Sequence, residues 1–181
     1  MDRSICLYPD RIDCDEVKQW LERTPVRLRP PFDPAAGTKL TFDFGEYFWR
    51  CTGPLRLHTG VDIGRCRNKQ LLAPAKMIIR RSYYDPGGGG AIFGEIFDDT
   101  TPRAVYLRMF HVGERSVSRG QVVETGEPIG RMTCNSGSNS TGLHLHIELL
   151  FGRRWPQPWK YAVNIRKLAD AEAWKNAIER Y

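Results

Sequence analysis

The spacing of apolar residues changes twice along the chain. After Asp13-Cys14-Asp15-Glu16, the residues Val17, Trp20 and Leu21 recur at helical spacing, with Asp13 placed as an N-cap and Glu16 at the third helical position. A short amphipathic helix is predicted there. Pro25 stops it, and Pro30, Pro31 and Pro34 exclude a regular element up to Gly37, which predicts an extended connector. From Leu40 to Leu150, short runs of β-branched, aromatic and aliphatic residues are separated by glycine and proline, the pattern of a mostly antiparallel sheet. Strands are expected over 71–84 with a break at Pro74, then over 91–97, 103–110, 121–124 and 143–150. Gly87-Gly88-Gly89-Gly90 follows Asp85-Pro86 and predicts a flexible hairpin loop. Leu168, Ala171, Trp174, Ile178 and Tyr181 share one helical face with Asp170 near its start, so a closing helix is expected to pack on the sheet. The predicted fold class is α+β, mostly β, an antiparallel sheet core with short helices at both ends.

Composition narrows the classes. With 181 residues, 41% of them hydrophobic and 27% charged, the chain is long enough for one domain with appendages and too apolar for disorder. No apolar run approaches the ~20 residues that span a bilayer, so no integral membrane segment is expected. Met1 to Cys6 carries an early acid and no apolar core of signal-peptide length, so no secretory signal is expected there. Lys and Arg outnumber Asp and Glu by 27 to 21, and the net charge of +6 favours polyanions, of which nucleic acid and the anionic bacterial wall both qualify. Trp155, Trp159 and Tyr161 lie near Arg153, Arg154 and Lys160, but no nucleic-acid fold signature accompanies them, so nucleic acid is not an expected partner. Five cysteines leave at least one unpaired, and none forms a Cys-x-x-Cys pair, which disfavours a four-ligand structural zinc knuckle. Cys51 and Cys66 bracket the segment His58 to Asp62. A bridge between them would stabilise by about 3 kcal/mol on the loop-entropy account, and buried free thiols are the equal alternative.

Candidate chemistry gathers on the histidines, of which there are four: His58, His111, His144 and His146. In Leu143-His144-Leu145-His146-Ile147-Glu148-Leu149, apolar and polar residues alternate at the strand period, so both imidazoles leave one face, and Glu148 follows on that face as an acceptor for a histidine nitrogen. His58-Thr59-Gly60-Val61-Asp62 places an imidazole and a carboxylate four residues apart, with Gly60 expected to relax the backbone of a bent strand or loop. Catalytic zinc uses three nitrogen or oxygen ligands and keeps a fourth position for water. His58, Asp62 and one of His144 or His146 supply that set. No Gly-x-Ser-x-Gly elbow and no Gly-x-x-x-x-Gly-Lys loop occurs, which disfavours a serine nucleophile and a phosphate cradle.

Five segments combine in order and spacing: Arg56-Leu57-His58-Thr59-Gly60-Val61-Asp62, Leu72-Ala73-Pro74-Ala75, His111, Val117-Ser118-Arg119-Gly120-Gln121-Val122-Val123-Glu124-Thr125-Gly126-Glu127-Pro128-Ile129-Gly130, and Ser140-Thr141-Gly142-Leu143-His144-Leu145-His146-Ile147-Glu148. Together they resemble the lysostaphin-type, or LytM-like, zinc peptidases, a family of cell-wall endopeptidases. The resemblance implies one zinc ion held by His58, Asp62 and His146, with His111 and His144 as catalytic histidines beside a substrate groove. It further implies peptide cross-links of bacterial peptidoglycan as substrate and action at the wall, in the periplasm or outside the cell. Phage particles, lysis systems, a dedicated secretion apparatus or a removed leader are the export routes considered. A non-hydrolytic wall binder or activator of the same fold is the alternative. The expected division is 1–45 as helix and Pro-rich arm, 46–165 as the zinc peptidase domain and 166–181 as the closing helix.

Overall fold

The computed structural model describes residues 4–8, 11–48, 56–133, 137, 140, 142–152 and 158–179. Helix α1 covers Cys14–Arg23, and Asp13 caps it by accepting from the backbone N–H groups of Asp15 at 3.0 Å and Glu16 at 3.1 Å. Glu16 does not close a capping box, because its carboxylate accepts instead from Arg103 Nε at 3.0 Å. Val17 and Trp20 form the buried face, and the Trp20 indole N–H donates to Asp98 Oδ2 at 2.6 Å. The helix stops at Thr24, which takes an extended conformation (ψ 131°) as a residue before proline must.

The strands are β1 (Thr38–Phe42), β2 (Tyr47–Phe48), β3 (Arg56–Leu57), β4 (Val61–Gly64), β5 (Gln70–Leu72), β6 (Met77–Asp85) and β7 (Gly89–Ile96). They continue as β8 (Val105–Phe110), β9 (Glu114–Arg115), β10 (Val122–Val123), β11 (Pro128–Arg131), β12 (His144–Phe151), β13 (Ala162–Val163) and β14 (Ile178–Glu179). Among the described residues the main sheet has nine strands in the order β10-β6-β7-β8-β12-β4-β1-β14, with β13 added on β12. Its pairings are antiparallel except that of β1 with β14. The predicted α+β, mostly β architecture is therefore the observed one.

The sheet is placed by its apolar face. Leu145, Ile147 and Leu149 of β12 are fully buried beside Val61 and Ile63 of β4 and Leu107 and Met109 of β8, and this cluster runs on to Val17, Trp20, Leu28 and Trp174. Both flanking segments thus share one core with the sheet. They also bond to each other: Leu28 donates to the Leu168 carbonyl at 2.9 Å, and the Leu28 carbonyl accepts from Asp170 N at 2.9 Å and Trp174 Nε1 at 2.8 Å.

Several expectations are corrected. The connector includes one 3₁₀ turn, Pro34–Ala36, because Asp33 caps it and proline suits its first position. The closing helix α2 is only Ala171–Ala177, Ala171 is exposed, and β-branched Ile178 leaves the helix to pair with Thr38 of β1. Tyr181 lies outside the described residues. Cys66 is a free buried thiol, its S–H directed at the Leu143 carbonyl at 3.9 Å, and burial pushes its pKa up to about 11. Hence it is not half of a bridge; Cys51 itself lies outside the described residues.

The four glycines are not a slack loop. Asp85 Oδ1 accepts from Gly87 N at 2.9 Å and Gly88 N at 2.6 Å, closing a tight hairpin in which Gly88, Gly89 and Gly90 are buried. Their carbonyls hold the chain after β8: His111 N donates to Gly88 O at 2.8 Å and Val112 N to Gly90 O at 3.0 Å. A side chain at Gly90 would put its Cβ 1.9 Å from the Val112 carbonyl oxygen. Gly90→Ala is therefore expected to lower unfolding free energy by about 2 kcal/mol or more. Gly142→Ala, whose Cβ would meet nothing within 4 Å, should stay within about 0.5 kcal/mol of wild type in the same denaturant titration.

Candidate metal centre

The centre is assembled by the register of β4 on β12. Asp62 lies directly opposite His146, and on the other side of β12 Phe110 pairs with His146 and Arg108 with Glu148. Because Leu145, Ile147 and Leu149 fill the core, His144, His146 and Glu148 must project from the opposite face, as the alternation predicts. His58 comes from the bend before β4. Gly60 in that bend serves close approach: a Cβ there would lie 2.2 Å from the Ile147 carbonyl oxygen and 2.9 Å from Glu148 Cγ. The segment can press against β12 only because the residue has no side chain.

Three donor atoms converge. Asp62 Oδ1 lies 3.1 Å from His58 Nε2 and 2.8 Å from His146 Nδ1, and the two nitrogens are 2.9 Å apart. His58 Nδ1 donates to the Asp43 carbonyl at 2.9 Å, which fixes the tautomer and leaves the Nε2 lone pair facing the cluster. His146 is fixed from its other side, its Nε2–H donating to Glu148 Oε1 at 3.0 Å. Glu148 is almost wholly buried, accepts from Thr59 Oγ1 at 2.5 Å, and is held at Oε2 by Arg108 through Nε at 2.7 Å and Nη2 at 2.5 Å. These are the contacts that orient a metal-binding imidazole.

The charges follow from that packing. Burial would raise the Asp62 carboxyl, but the hydrogen bond from His146 holds it far below the usual carboxylate range. Glu148 is likewise held down by Arg108 and His146 against its burial. Burial would lower the His146 imidazole, yet Asp62 and Glu148 on its two nitrogens push it up to about 9. A proton on Nδ1 thus takes the place of a cation between Asp62 and the His58 lone pair.

The two remaining histidines sit beside this cluster, their rings 4.5 Å apart edge to face. His144 Nδ1 donates to the Gly142 carbonyl at 2.9 Å and turns Nε2 toward Asp62 Oδ2, 3.5 Å away. His111 is buried and has a positive φ of 64°, rare for a residue with a side chain. The backbone bonds to Gly88 and Gly90 hold it there. All five histidine and aspartate positions singled out in the sequence are therefore brought together. Sequence reasoning missed Arg108, Thr59 and the Asp43 carbonyl, whose places depend on strand register and turn geometry that no local motif encodes.

Two imidazole nitrogens and a carboxylate oxygen are the donors zinc takes, and around tetrahedral zinc with bonds of about 2.0–2.1 Å they lie about 3.3 Å apart. The observed separations of 2.8–3.1 Å need to open by only a few tenths of an ångström, so the donor set fits. A His/Asp/His cluster on the polar face of an antiparallel sheet, with two further imidazoles alongside, is thus a candidate metal centre. Residues 56–158 match the model of peptidase family M23, more than half of the chain, and the chain belongs to that family.

A Haemophilus influenzae protein described as an uncharacterized metalloprotease is 33% identical over 107 residues, 59% of this chain and 21% of that protein. A zinc-containing peptidase from Vibrio cholerae shares the fold with TM-score 0.62 and 21% identity over 78% of this chain and 40% of that one. The catalytic domain of the antimicrobial peptidase lysostaphin from Staphylococcus simulans does so with TM-score 0.57 and 21% identity, over 80% and 90%. The chain thus spans less than half the length of the first two.

The raised His146 and depressed Asp62 and Glu148 set a pH window for metal-free protein. His146 adds stability that is complete below its ordinary value of 6.5 and is lost as pH rises through about 9. The two carboxylates add stability present above their ordinary values and lost on acidification. Denaturation midpoints of chelated protein should fall between about pH 6 and about pH 10, and His146→Ala should flatten that alkaline limb.

Proposed function

We propose that the chain is a zinc-dependent endopeptidase that hydrolyses peptide cross-links of bacterial peptidoglycan, acting at the wall in the periplasm or outside the cell. The observation that carries this reading is the convergence of His58 Nε2, Asp62 Oδ1 and His146 Nδ1 next to a second pair of imidazoles. Membership of a peptidase family and the lysostaphin-like fold support a peptide substrate of the wall.

His58, Asp62 and His146 hold one zinc ion, which when bound supplies a Lewis acid that polarises a carbonyl and acidifies water. The other roles belong to His144 and His111. Since His144 Nδ1–H is committed to the Gly142 carbonyl, Nε2 is the atom that accepts the proton of the attacking water. The protonated ring then returns the proton to the leaving amine. His111, edge-on to that ring, donates to the oxyanion of the tetrahedral intermediate. Phe110, whose ring centroid lies 6.1 Å from that of His146, and Phe42, 4.9 Å from His58, flank the two imidazoles.

Zinc-loaded protein should release cross-linked peptides from isolated wall, and chelation should stop the release. His146→Ala should lose both zinc and activity. His144→Ala should keep zinc and lose activity by about 10²-fold or more. Mass spectrometry of the products distinguishes glycyl-glycine from D-alanyl cleavage. Zinc binding without any release would overturn the hydrolytic reading in favour of a wall-binding role.

A further inference from the structure

The first ligand is aimed by a segment outside the stretch that matches the family. His58 Nδ1 donates to the carbonyl of Asp43, and His58 is zipped to the same turn by its backbone, with Gly45 N on His58 O at 2.8 Å and His58 N on Glu46 O at 2.8 Å. Asp43 organises that turn. Its N–H donates to Glu46 Oε2 at 2.9 Å, its Oδ1 accepts from Phe44 N at 2.8 Å, and its Oδ2 pairs with Arg166 Nη1. Residues 43 and 166 both lie beyond the matched residues 56–158.

Arg166 is itself anchored. Asn164 caps its N–H at 3.1 Å, donates from its own N–H to Ile5 O at 2.9 Å and from Nδ2 to Ser4 O at 2.9 Å, while Ile165 is buried in the core. A ligand imidazole is oriented by whatever accepts from its second nitrogen. Here the acceptor is a main-chain carbonyl, so its position is set by the turn, and Arg166 ties that turn to the core from the far end of the chain.

We infer that Arg166 is a positioning residue for the metal centre, clamping the Asp43 turn whose carbonyl aims the His58 ring. The inference rests on His58 being a metal ligand. An ordinary partly exposed ion pair would add little to stability and would leave the His58 ring unaffected, so zinc affinity and the protonated nitrogen of His58 are the readouts that separate the two.

Zinc affinity is measured by competition with a chromogenic chelator for wild type, Arg166→Met, Arg166→Lys, Asp43→Asn and the double variant Asp43→Asn/Arg166→Met. Long-range proton–nitrogen NMR of metal-free protein reports which His58 nitrogen carries the proton. Arg166→Met and Asp43→Asn should each weaken zinc about tenfold. The double variant should be no weaker than either single, Arg166→Lys should restore most of the affinity, and the His58 Nδ1–H signal should give way to mixed tautomers in the weakened variants. Should Arg166→Met not fold, Asp43→Asn and Arg166→Lys carry the same comparison. Wild-type zinc affinity in folded variants, additive losses, or an unchanged His58 tautomer would overturn the clamp while leaving the proposed function intact. Failure of wild type to bind zinc would overturn the functional reading and this inference with it.

Discussion

The register between β4 and β12 is the constraint on which the centre depends. Asp62 opposes His146 across that pair, and Val61 and Ile63 enter the core on the same side as Leu145 and Ile147. A slip by one residue would bury the histidines and expose the leucines. The apolar face therefore constrains the chemistry on the polar face, since burying the leucines sends Asp62 and the two histidines of β12 to the same opposite side of the sheet. Gly60 adds a second condition on the same register, because the bend carrying His58 can close on β12 only where no Cβ intervenes.

That register also lines up charge. Glu148 and Arg108 are cross-strand partners, and Glu148, Thr59 and His146 complete a network at one carboxylate. A buried carboxylate without such partners would be neutralised or expelled to water. The four contacts on Glu148 keep it ionised, and its charge then acts on His146, whose Nδ1 carries a proton in the metal-free protein and would face the metal under the proposed function. Under that reading metal and proton compete for one lone pair, so the buried network that orients the imidazole would also make zinc binding proton-linked.

Much of this was legible because it obeys local periods. The Asp13 cap, the stop before Pro25, the break at Pro74 and the shared face of His144 and His146 are each encoded within a few residues. What was not legible depends on distant approach. The glycines at 87–90 look slack in sequence, yet Gly88 and Gly90 are required where the chain after β8 packs on the hairpin. Ile178 fits a helical face by spacing but has an open edge of β1 to join. Arg108 carries no motif, and only strand pairing brings it to Glu148.

The centre combines two kinds of support. Asp62, His144 and His146 stand on paired strands, whereas His58 and His111 stand on bends held by main-chain bonds to other segments. Strand-borne groups take their geometry from the sheet itself. Bend-borne groups need an outside brace, and both have one: the glycine hairpin for His111, whose left-handed conformation has a steric cost, and the Asp43 turn for His58. The sheet fixes where the candidate ligands can stand. The braces fix the two rings that strand pairing alone leaves undetermined, which gives segments remote in sequence a structural reason to be part of the same unit as the metal centre.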